Sequence, residues 1–205
     1  LPMTFGLCSV GLGITLVLKV KYMPAVVLAM VLGAFLGELL HLEKRIGSAA
    51  GSTRGLINKV LPPVQGLGHE EFTEKFVAIL VLFCASGTGV FGAMREGMTG
   101  DASILIAKAF LDFFTATIFA CTLGLAVSAI CVPMLLIQLS LAACASLIMP
   151  LTTPMMMADF SAVGGMLLVA TGLRICGIKM FAVVNMLPAL LLAMPISVAW
   201  TAFFA

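Results

Sequence analysis

Asp101, Lys108, Asp112, Thr115 and Thr122 are polar or charged residues set into an otherwise apolar stretch, at spacings of 7, 4, 3 and 7. Those spacings put all five on one face of a helix. A charge at the centre of a bilayer costs at least ~2.5 kcal/mol, so such residues face a protein interior or a water-filled cavity. Lys108 and Asp112, at i and i+4, can neutralise each other. Three readings stand side by side: a structural ion pair that fixes helix packing, a site for a substrate or coupling ion, or a lysine that snorkels to the interface.

The residues just upstream are of a different kind. Ser86, Gly87, Thr88 and Gly89 are followed by Gly92, Gly97, Thr99 and Gly100. Five glycines within one apolar segment and its exit turn argue against a uniform helix and predict a break. A break exposes backbone amides and carbonyls, and Ser86, Thr88 and Thr99 add oxygen ligands, which is how transporters build ion sites. Close packing of helices through small residues is the other reading. GxxxxGK[ST] is missing and no strand precedes the run, so it is not a phosphate loop. A second interruption is expected at Pro150 and Pro154, either as a broken helix or as the end of a helix at the membrane surface.

Other polar residues are read more briefly. Pro188 should leave the carbonyl of Val184 unpaired, and Asn185 beside it can bond across helices. Glu38 is expected to be solvated and Gln138 to be a packing residue. The six cysteines lie singly in apolar stretches without a CxxC pair, so they suggest neither a metal site nor a disulfide framework. Two histidines, His41 and His69, are too few for a metal or catalytic centre, and the 14 methionines read as core. Neither a cofactor nor a metal is expected.

The elements that must position these residues follow from composition. Hydrophobic residues make up 62% of 205, charged residues only 10%, and mean hydropathy is +1.22. A soluble globule of this size cannot hide so much apolar surface. Unbroken apolar runs of helix-spanning length predict an all-α polytopic transmembrane bundle, one domain over residues 1–205. Seven spans are expected, at 3–18, 23–42, 76–94, 102–126, 130–149, 160–177 and 181–204. A polar loop over 43–75 separates the second from the third and is expected to carry a short amphipathic helix near 53–61. That loop's side of the membrane receives Lys44, Arg45, Arg54, Lys59, Lys75, Arg174 and Lys179. The other side receives Lys19, Lys21 and Arg95, so the loop is expected to be cytoplasmic. A net charge of +2 without a basic cluster gives no reason to expect nucleic acid.

One internal similarity bears on architecture. Gly6 and Gly13, then Lys21 and Ala25-Val26-Val27, match Gly165 and Gly172, then Lys179 and Ala182-Val183-Val184. With the orientation above, the two copies, around 3–42 and 161–204, run in opposite senses, the plan of an inverted-topology repeat.

The run from Ser86 to Asp101, continuing to Lys108 and Asp112, resembles the central motif of the YqgA/YdfK-like bacterial inner-membrane proteins, classed as domain of unknown function 554. So do 5–13, 33–38 and 185–189, so the resemblance covers nearly the whole chain. Thr88 and Phe91 vary the non-glycine positions of that motif, while its glycines and Asp101 remain. The resemblance implies a multi-spanning inner-membrane protein, with a further glycine-rich span upstream that would make eight. It supplies no active site to carry over.

Three classes of function remain. A carrier or channel for a small solute or ion is favoured by the intramembrane charges, the two interrupted segments and the near absence of soluble mass. A non-transporting scaffold, sensor or assembly partner would have only the short polar loop to work with. An intramembrane enzyme lacks HExxH, a Ser/His pair and paired aspartates, so no enzyme is expected. Small-residue stripes at Ala29, Gly33 and Gly37 and at Ser161 and Gly165 predict close packing, within the chain or in a homodimer. The lipid bilayer is the one certain partner.

Overall fold

A computed structural model describes residues 2–52 and 69–204. The helix expected near 53–61 lies outside them. Every regular element described is helical. In chain order these are α1 (Pro2–Val17), α2 (Met23–Leu39), α3 (Leu42–Ser52), α4 (His69–Cys84), α5 (Gly87–Thr99), α6 (Ser103–Leu123), α7 (Cys131–Ile148), α8 (Pro154–Ile175), the short α9 (Val183–Met186) and α10 (Pro188–Phe204). Four helical stretches are long and apolar enough to cross a membrane, and the α2–α3 pair, bent by 50°, makes a fifth. Large apolar side chains such as Val31, Phe35, Phe110, Phe113 and Leu135 point outward from the bundle. That arrangement suits hydrocarbon, not water.

The stretch Ser103–Leu151 is helical almost throughout, yet it is a hairpin and supplies two spans. Twenty-six residues of straight helix would cover about 39 Å, whereas Lys108 Nζ lies 4.0 Å from Met134 Sδ. The chain reverses through the 3-10 segment Gly124–Ile130, entered at Gly124 with φ 61°, a left-handed value that favours glycine. The separate spans expected at 102–126 and 130–149 are thus present.

Other boundaries differ from expectation. α4 is already helical at His69, the first residue described after 52, and does not wait until near 76, because charge does not stop a helix. Lys75 bonds Glu71 at i,i+4 (2.7 Å), while Phe72 and Phe76 of the same turns are buried. α8 begins at Pro154 and not near 160, with Thr153 capping the Met156 amide. Pro150 lies in a one-turn 3-10 segment that ends α7, so both prolines mark the turn between spans. The last span is split before Pro188, and the Val184 carbonyl is not orphaned, since it accepts the Leu187 N–H at 3.2 Å.

α8 is the central helix, buried at nearly every position from Asp159 to Leu168 and packed by α1, α2, α5 and α10. Its closest neighbour is α1. A β-carbon built at Gly13 would meet the Gly165 carbonyl oxygen at 2.5 Å, and one at Gly172 would meet that of Gly6 at the same distance. The two glycine pairs therefore cross reciprocally, backbone against backbone. Gly33 and Gly37 of α2 likewise take the backbones of Ala189 and Asn185. These small-residue stripes are thus used inside the chain. A second, smaller core joins Phe72, Phe76, Ile79 and Phe83 of α4 to Leu123, Val127 and Ile130 at the hairpin turn.

Candidate functional site

Lys108 is 3% exposed and its ammonium is paired with Asp112, which is 22% exposed. The ammonium stands 5.8 Å over the Phe83 ring. Its stem runs along Gly89, where a β-carbon would meet Lys108 Cε at 2.7 Å and come within 3.5 Å of the Gln138 amide. Lys108 thus touches the last turn of α4 through Phe83 and the first turn of α5 through Gly89. Between those turns lies the helix break at Ala85 and Ser86, with Ser86 extended at φ −70°, ψ 127°. The glycine-rich interruption and the charged face of α6 therefore meet inside the bundle.

The break is narrower than the glycine run predicts. Gly87, Gly89, Gly92 and Gly97 all lie within regular α5 and serve contact: Gly87 with Val183 and Thr171, Gly92 with Ile104 and Leu105, Gly97 with Ala142. Gly100 caps α5 with φ 71°. The five-residue polar face of α6 is also incomplete. Asp101 lies before the helix and pairs with Arg95, Thr115 returns its hydroxyl to the Leu111 carbonyl, and Thr122 is exposed. A helical hydroxyl bonded to its own i−4 carbonyl is satisfied locally and is not presented to a ligand.

Ionic clusters close both ends of the bundle. At one end Arg95 donates to Asp101 (3.0 Å) and to Ser161 (3.2 Å). Hydrogen bonds from Ser103, side chain then backbone, and next the Arg95 guanidinium, hold the Asp101 carboxyl down to about 2. Close by, Asp159 is 1% exposed and accepts the amides of Lys21 and Tyr22 (3.0 Å each) and the Ser197 hydroxyl (2.6 Å). It caps the start of α2 from a different helix. At the opposite end Arg174 pairs with Glu43 (2.9 Å) and donates to the Phe181 carbonyl (3.0 Å). Asn185 accepts the Glu43 amide (2.9 Å), so it bonds across helices at α3 and not near Lys108.

Of the predicted residues, the structure brings together Gly89, Lys108 and Asp112, with Ser86 at the break and Thr88 in the same first turn of α5 as Gly89. Asp101 and Asn185 stand at opposite ends. Asp159 was legible only as an acidic residue at the tail of the proline stretch, and Phe83 and Met134 only as core. The Glu43–Arg174 pair, 131 residues apart in the chain, has no sequence signal. An open groove between α2 and α10 is lined by apolar side chains, among them Met23, Val27, Val31 and Trp200.

The family model described as protein of unknown function (DUF554) matches residues 1–198. The chain belongs to that family. Uncharacterized protein YqgA of Escherichia coli (strain K12) is 66% identical to this DUF554 chain over 201 residues, 98% of the chain and 84% of the relative. Uncharacterized membrane protein YdfK of Bacillus subtilis (strain 168) is 26% identical over 196 residues, 94% of the chain and 80% of that protein. No solved structure matches. The description of the second relative and the apolar helices agree that this DUF554 chain is a membrane protein. Its 86–101 motif is one structural unit, α5 with its break before and its left-handed cap after.

Proposed function

We propose that the chain carries or conducts a small solute or ion across a bacterial cytoplasmic membrane and performs no enzymatic chemistry. The observation behind this reading is a lysine 3% exposed inside the bundle, its ammonium level with a helix break. Replacing a buried ion pair by apolar residues is often neutral or stabilising, so a pair kept among so many apolar side chains argues for use. Ionic clusters at both ends, Arg95–Asp101 and Arg174–Glu43, with the buried pair between them, suit a pathway closed from both sides. The reciprocal glycine crossing of α1 and α8 supports an inverted repeat at that contact, which is where two-fold related helices meet. In this orientation the 43–75 side is cytoplasmic, following the lysine and arginine count.

The test is flux through liposomes holding the full chain, over a panel of small ions and solutes. It compares the wild type with Lys108→Met, Asp112→Asn and the exchange of Lys108→Asp with Asp112→Lys. Saturable flux that folded single variants lose, and the exchange fails to restore, is expected. Full flux in the exchanged protein would make the pair structural, and wild-type flux no greater than that of empty liposomes across the panel would end the transport reading.

A further inference from the structure

Lys75, Arg95, Lys108 and Arg174 are each held by a carboxylate. Lys44, Arg45 and Lys179 are exposed, and among the described residues none of the three has an ion-pair partner. They gather at one end of the bundle. Lys44 and Arg45 follow Glu43 on α3, and Lys179 shortly precedes Phe181. Arg174 ties the two places together, pairing with Glu43 (2.9 Å) and donating to the Phe181 carbonyl (3.0 Å). Large apolar side chains flank these free charges. Ile178 and Met180, on either side of Lys179, are 71% and 72% exposed in the non-helical stretch 176–182, and Ile46 beside Arg45 is exposed as well.

α3 leaves the line of α2 by a 50° bend. His41 at that corner has φ 50°, a left-handed value that a residue with a side chain keeps only where its surroundings impose it. Asn185, accepting the Glu43 amide (2.9 Å), and the Glu43–Arg174 pair supply that constraint. α3 and the 176–182 loop therefore share one fastening. At a membrane surface, cations stay with the headgroups while the apolar side chains beside them enter the acyl boundary. We infer that α3 and this loop form a docking surface for anionic lipid, with Lys44, Arg45 and Lys179 meeting headgroup phosphates and Ile46, Ile178 and Met180 meeting acyl chains. A zwitterionic headgroup carries its own cation beside the phosphate and so leaves these three charges unneutralised, whereas an anionic headgroup neutralises them. The opposite end gives a comparison. Lys19 and Lys21 are exposed there beside an exposed Leu18, but the turn runs directly into α2 at Met23 with no helix like α3 to enlarge it. This surface concerns the lipid around the chain and does not depend on what the chain carries.

The test titrates the full chain, in micelles of an uncharged detergent, with phosphatidylglycerol at rising mole fraction, reading the thermal midpoint at each step. Phosphatidylcholine and inorganic phosphate are run in parallel. Phosphatidylglycerol should raise the midpoint saturably, and the other two should leave it unchanged. Lys44→Gln, Arg45→Gln and Lys179→Gln should each weaken binding about fivefold at low salt, and together about a hundredfold. Added salt should shrink those differences. Ile178→Ser with Met180→Ser should weaken binding about tenfold without altering its salt dependence. Lys19→Gln with Lys21→Gln should change it less than about twofold. All these positions are exposed, so folded protein is expected from every variant. The docking surface is overturned if phosphatidylglycerol leaves the wild-type midpoint unmoved, or if phosphatidylcholine or phosphate alone raises it equally. Wild-type binding by the triple variant, or an equal loss in the Lys19 and Lys21 variant, overturns it too.

Discussion

Two regions of this molecule use the same residue for opposite ends. Along the α1–α8 crossing, Gly13 and Gly172 give up a side chain so that backbone can lie on backbone, and the partner filling the space is a carbonyl that cannot move. At the α5–α6 contact, Gly89 gives up a side chain to a lysine stem, whose far end can. The first is a fixed seam that holds the central helix. The second admits a charge beside a helix break. A small residue in an apolar helix therefore says that something comes close, and the identity of the neighbour decides whether the contact is scaffold or site.

Alanine substitution separates the two. Gly13→Ala forces a methyl to within 2.5 Å of the Gly165 oxygen, and a loss of about 3 kcal/mol is expected because neither backbone can yield. Gly11→Ala, with nothing within 4 Å, should gain up to about 1 kcal/mol from helix propensity. Gly89→Ala falls between, at about 1 kcal/mol, since the Lys108 stem can shift, and it should lose more in ligand binding than in stability. Thermal midpoints in detergent for the three variants read this ranking. Equal losses at positions 13 and 89 would erase the distinction between seam and site.

The next effect concerns how the seam's ends are fastened. From within α8, Asp159 accepts the amides of Lys21 and Tyr22, just before α2, and the Ser197 hydroxyl. Asp159→Ala leaves those donors unpaired and should cost about 2 kcal/mol. Asp159→Asn keeps an acceptor for the amides and should keep most of the stability. If Asp159→Ala melts with the wild type, α2 is not held by this cap.

The sequence made some of this legible and not the rest, for physical reasons. Hydropathy and run length give the spans, because the bilayer sets both. Boundaries shift where helicity outlasts hydropathy, as at His69–Lys75 and Pro154–Met157. Lys108 and Asp112 stand out because charge is expensive where they lie, and their i,i+4 spacing is local. The glycine run predicts a break but not its width, since each glycine's role depends on a neighbour distant in the chain. Asp159 and the Glu43–Arg174 pair are tertiary: their partners are 138 and 131 residues away, and no local pattern announces them.

The smallest expected effect distinguishes the exposed ionic end from the buried pair. Asp101 is 38% exposed, and Ser103 and Arg95 lower its carboxyl from 3.8 to about 2. A carboxyl depressed in the folded state stabilises it above the unfolded value, and that contribution is lost as pH falls through the folded value. Wild type should therefore melt slightly above Asp101→Asn at every pH over about 4, by a constant margin. From about 4 downward the margin should shrink, and it should vanish only below about 2, where both proteins carry a neutral side chain at this position. Added salt should narrow it further, since the Arg95 pair lies partly in solvent. A margin that stays constant down to pH 2 would show that the Asp101 charge does not fasten the α5–α6 turn, and that shape alone, through the left-handed cap at Gly100, holds it.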